Sequence, residues 1–61
     1  MKRFEVRAFV LANFGTLSGW SSNSYDTLDE AIKNAGKWDL IIDHKTGVEK
    51  IADFFLNGGK L

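Results

Sequence analysis

Sixty-one residues with zero net charge and no cysteine describe one domain with no disulfide framework and without the basic balance of a dedicated nucleic-acid binder. A single histidine and no cysteine also exclude the usual structural zinc sites. A chain this short buries only about 60% of the surface its unfolded form exposes, so association with another chain is an available source of stability.

The chain opens with two cations, Lys2 and Arg3, but Glu5 and Arg7 interrupt any leader-like pattern, and the apolar stretch 8–12 is too short for one. No run approaches a membrane span. The expected setting is the cytoplasm, which the lack of cysteine suits.

Residues 3–12 are expected to form the first strand. Phe4, Val6, Ala8 and Val10 share one face; Arg3, Glu5, Arg7, Phe9 and Leu11 share the other. Asn13, Phe14 and Gly15 fit a three-residue hairpin loop. That loop places Ala12 opposite Thr16 and Ala8 opposite Trp20, which puts Trp20 on the core side. It also sets Phe9 against the bare backbone of Gly19. The second strand, 17–22, is poor in strand formers and belongs at an edge.

Residues 25–36 contain the one strong helix signal. Thr27 stands three residues before Glu30, the spacing of a capping box. Asp29 and Glu30 suit the positive end of the helix dipole. Leu28, Ala31, Ile32 and Ala35 form a one-sided apolar stripe. Gly36 is expected to close the helix in the left-handed conformation.

The third strand is expected over 38–43, with Trp38, Leu40 and Ile42 facing the core and Asp39, Ile41 and Asp43 facing away. Asp43 to Gly47 is a hairpin turn: Asp43 can bond the backbone two residues on, and Gly47 supplies positive φ. The fourth strand is expected over 48–56. A four-residue loop pairs Ile51 with Leu40 and turns Phe55 inward; a three-residue loop puts Ile51 beside Ile41 and turns Phe54 inward. The domain thus spans 1–56, with 57–61 as a flexible tail. The fold class is α+β, a ββαββ layout with one helix on one face of a four-stranded, mainly antiparallel sheet. The expected order is 2-1-3-4, with 2-1-4-3 as the alternative.

Chemistry-bearing groups are sparse. His44 falls in a turn, where it is expected to be solvated. No nucleophile elbow, P-loop or dinucleotide fingerprint occurs. Asp39, Asp43, Glu49 and Asp53 could gather near a cation, but acids flanking a strand also keep it soluble. Arg3, Arg7, Phe9 and Lys50 would give an outer face some nucleic-acid character, opposed by Asp39 and Asp43 on that same face. The expectation is therefore no catalytic residue, no metal, no cofactor, no nucleic acid and no membrane.

One short helix cannot cover both sides of a sheet. Phe9, Leu11, Leu17, Ile41 and Phe54 are accordingly expected on the uncovered side as a partner-binding surface, for a homodimer or a host protein. The alternative is a small-ligand site at an oligomer interface, built from Trp20, Ser22, Asn23 and Tyr25, where aromatics stand among small polar residues. The hairpin, the T-x-x-E-A helix and the D-x-x-T-G turn resemble those of many small microbial and phage domains. That resemblance implies layout rather than activity. The small size suits a non-enzymatic interaction module, such as a phage or prophage accessory protein that blocks a host protein.

Overall fold

The computed structural model describes residues 2–11 and 17–61, with residues 11, 17 and 18 described by backbone alone. The expected loop at Asn13, Phe14 and Gly15 lies outside the described residues. In chain order the elements are β1 (Phe4–Leu11), β2 (Leu17–Tyr25), α1 (Leu28–Lys33), β3 (Leu40–Asp43), β4 (Glu49–Ile51) and α2 (Ala52–Leu56). The strands form one four-stranded sheet in the order β2-β1-β3-β4, and every neighbouring pair is antiparallel. This is the expected α+β architecture with a second helix added.

The core lies on one side of the sheet. Phe4, Val6 and Ile41 meet Ala31 of α1 and Ala52 of α2, with Tyr25, Leu28, Ile32, Ala35 and Phe55 packed around them. Both helices touch the sheet through an alanine with no exposed surface. A methyl side chain lets the helix backbone approach closely, so the narrow alanine stripe of α1 reflects tight packing.

Thr27 caps α1: its hydroxyl accepts from the Glu30 N–H at 3.2 Å and lies 3.3 Å from the Glu30 carboxylate. The helix stops sooner than expected. Asn34 closes it, its backbone N–H and its side-chain amide both donating to the Glu30 carbonyl. Gly36 is not in the left-handed region. Its N–H donates to the Asp39 carboxylate at 2.7 Å, which turns the chain toward β3. Trp38 falls in that turn and is exposed, with the Lys37 ammonium 5.0 Å from its ring centroid.

Pairing with β1 corrects the sidedness of β3. Phe4 lies opposite Asp43, and Val6 opposite Ile41. Ile41 and Asp43 therefore point to the helix side, and Leu40 and Ile42 point away. Three consecutive apolar residues carry no parity of their own, and a one-residue slip exchanges the faces. Asp43, 1% exposed, tolerates the helix side because Arg3 donates twice to its carboxylate, at 2.9 and 2.8 Å. The Lys45 N–H adds 2.9 Å and the Thr46 hydroxyl 3.2 Å. These donors, Arg3 foremost, hold the Asp43 carboxyl well below the usual carboxylate range. The turn is as expected, with Gly47 at φ +80°.

A bulge corrects the sidedness of Trp20. Leu11 pairs with Leu17 but Val10 pairs with Gly19, so Ser18 is an extra residue. Beyond it the whole strand is displaced by one. Trp20 lies opposite Phe9, not Ala8, and on the outer side.

The expected fourth strand ends at Ile51, which pairs with Leu40. The next residues form α2. Its first amides are satisfied by the turn after α1: Ala52 N–H donates to Asp39 C=O and Asp53 N–H to Lys37 C=O. The adjacent Phe54 and Phe55, awkward in a strand, pack edge to face at 5.1 Å. Phe55 turns toward the core and Phe54 is exposed. The residues expected as a tail begin by closing this helix. Gly58, at φ +90°, donates to Phe55 C=O and Gly59 donates to Phe54 C=O, the paired bonds of a Schellman cap.

Candidate interaction face

Both helices occupy one side of the sheet, and no described element packs on the other. The open side is organised in rows set by the strand register. The first row is Trp20 and Phe9. The next runs Ser22, Arg7, Leu40, Ile51. The third runs Ser24, Glu5, Ile42, Glu49. Phe9 is 45% exposed and Trp20 53%. Ile42 is nearly covered at 6%, although no described helix lies over it.

Glu5 ties this face together. One of its oxygens bonds the His44 Nε2 at 2.8 Å; the other bonds the Arg7 Nε at 3.1 Å and its terminal nitrogen at 2.9 Å. Glu5 is 8% exposed. Its carboxyl is held below the ordinary range, chiefly by the hydrogen bond to His44 and then by Arg7, against the opposing effect of burial. Arg7 in turn lies over the Trp20 ring, 4.3 Å from the centroid. A guanidinium anchored by a carboxylate and stacked on indole holds an exposed aromatic in one place. His44 is therefore engaged, not simply solvated as its turn position suggested.

The expected partner-binding residues divide. Phe9 is on the open side. Ile41 is not: it is 2% exposed beneath the helices, because β3 takes its parity from β1. Phe54 belongs to α2, half-shielded by the Lys50 ammonium 5.2 Å from its ring. Leu11 and Leu17 pair at the hairpin end, and their side chains lie outside the described residues. The alternative ligand set does not converge. Trp20 and Ser22 face the open side, while Asn23 and Tyr25 face the helix side, and Tyr25 packs on the core. Arg7 lies beside Phe9 on the outer face, as expected, whereas Trp20, Leu40, Ile42 and Ile51 escaped the sequence reading as part of that surface, since the bulge and the parity of β3 decide their side.

The acids that could gather near a cation are dispersed among structural tasks. Asp39 accepts from Gly36, Asp43 from Arg3, and Asp53 from the Asn57 side chain, with Lys37 4.0 Å away. At the end of the sheet an open cavity of about 310 Å³ is lined by Lys2, Arg3, His44 and Lys45. Two of those four groups already engage Asp43 and Glu5. No helix among the described residues is long and apolar enough to cross a membrane. Comparison with protein-family models, curated proteins and solved structures gives no match.

Proposed function

We propose that the chain is a non-enzymatic interaction module that uses the open side of its sheet against another protein, a second copy or a host protein. The observation that carries this reading is the exposed Phe9–Trp20 pair with Arg7 clamped between Glu5 and the indole. Aromatic residues and arginine supply most of the energy at protein interfaces. Side chains already held in place lose little entropy on binding. Leu40 and Ile51 extend the apolar surface, and Glu5, His44 and Glu49 give it a polar rim of the kind interfaces carry.

The test compares the wild-type chain with a Phe9→Ser, Trp20→Ser double variant as baits in lysate of the native host. A protein held only by the wild type is then purified and titrated against both. At least a tenfold weaker affinity for the variant is expected. Equal affinity for the two forms places binding elsewhere and sinks the proposal.

A further inference from the structure

No described element pairs with the outward edge of β2. At nine residues it is the longest strand, and residues 20–24 are all exposed. Open strand edges are templates for another strand, and proteins blunt them by shortness, charge, proline or a covering element. The opposite edge follows that rule: β4 is three residues long, carries Glu49 and Lys50, and runs straight into α2. β2 does not. Its sequence, L-S-G-W-S-S-N-S-Y, has no charge and no proline. Its one irregularity, the extra Ser18, lies near the hairpin end of the strand.

We propose that β2 pairs antiparallel with β2 of a second copy of this chain, about a two-fold axis at Ser22. The occupant follows from the pattern of the strand. A two-fold sets the residue on the axis against its own copy and brings its near neighbours close to theirs, so any charge there would lie near a like charge; β2 has none to repel. Placing the axis at Ser22 sets Trp20 opposite Ser24 of the second copy, and Gly19 opposite Tyr25 of the second copy. Trp20 and Ser24 lie on the open side, Gly19 and Tyr25 on the helix side, so each pair meets on one face. Both bulky side chains thus fall across from small ones, and an aromatic covers the strand glycine. With the axis one residue earlier, Tyr25 would meet Leu17 and the glycine match is lost.

The paired sheets are continuous, with all helices on one side and both open faces on the other. The Phe9–Trp20 surface then extends across the seam and stays free for a further partner. The inference rests on the reading of the chain as an interaction module, but not on its open face.

Light scattering from micromolar to millimolar concentration, combined with single-cysteine variants, tests it. The chain has no cysteine of its own, so Ser22→Cys and Ser24→Cys are clean probes. In this register position 22 faces its counterpart at about 4.5–5.5 Å between Cα atoms, within disulfide reach. Position 24 is roughly 13 Å along the strand from its counterpart. The expected result is a monomer-to-dimer rise in mass, with Ser22→Cys cross-linking at least tenfold faster than Ser24→Cys under mild oxidation. A Phe9→Ser, Ile51→Ser double variant should still dimerise. A monomer at every concentration overturns the proposal, as does equal cross-linking at the two positions. Loss of the dimer in the Phe9→Ser, Ile51→Ser variant, with no Ser22→Cys cross-link, places self-association on the open face. That outcome upholds the proposed function and rejects the edge.

Discussion

Two buried carboxylates, Glu5 and Asp43, hold Arg3, Arg7 and His44 in place. Each accepts from more than one donor, and each has its pKa lowered in the folded chain. A carboxyl whose folded pKa is depressed adds stability above its unfolded pKa, and that stability is lost as pH falls through the folded value. Urea midpoints should therefore hold between pH 7 and 5 and decline below about pH 4, where unfolded carboxyls begin to bind protons. Glu5→Gln should be less stable than wild type at pH 7 and show a shallower acid decline, so that the two curves converge at low pH. Parallel curves would mean that Glu5 contributes nothing through its ionisation. Ile41 makes the packing counterpart. At 2% exposed it fills the space between helices and sheet, so Ile41→Ala should cost about 2–5 kcal/mol. Ile51→Ala, at a position 37% exposed on the open side, should cost no more than about 1 kcal/mol. Urea unfolding of the two variants separates a core residue from a surface one.

At the scale of elements, the glycines that follow the two helices can be ranked by substitution. Gly58 has φ +90° with open space around it; Gly58→Ala should cost about 1 kcal/mol for the left-handed backbone alone. A Cβ on Gly59 would stand 2.5 Å from the Phe54 carbonyl oxygen, so Gly59→Ala should cost more. Gly36→Ala should cost least, since its backbone is ordinary and the nearest atom, at 3.3 Å, belongs to the Asp39 side chain. Thermal melts of the three variants give the order directly. What the sequence made legible was local chemistry. Thr27 with Glu30, and Asp43 with Gly47, signal structure through residues a few positions apart, and both motifs formed. What it left unread was parity. The expected hairpin register survives at Leu11 and Leu17, but one extra residue at Ser18 sends Trp20 to the other face. The strand Leu-Ile-Ile has no alternation, so only its pairing with β1 decides that Ile41 goes in. The α2 signal was present and outweighed: Asp53 in the first turn and the Asn57-Gly58-Gly59 stop are helix punctuation, yet the β-forming Phe54 and Phe55 favoured a strand.

For the molecule as a whole, size and shape bear on association together. A domain of 61 residues with a core on one side of its sheet has a narrow margin of stability, and a nine-residue edge strand with no described partner on its outer side offers a way to widen it. If the folded form pairs through β2 and the unfolded chain does not, mass action ties stability to concentration. Each tenfold rise in protein then adds about 1.4 kcal/mol per dimer. The wild-type urea midpoint should climb with concentration accordingly. A Ser22→Lys, Ser24→Lys variant puts like charges astride the axis while adding only exposed side chains to the monomer. Its midpoint should stay constant with concentration and should equal the wild-type midpoint at high dilution. Adding salt should restore part of the concentration dependence, because exposed like charges repel less when screened. A wild-type midpoint that does not move with concentration would remove the stabilising role of the edge. A Lys variant less stable than dilute wild type would show instead that β2 tolerates no charge even in the single chain.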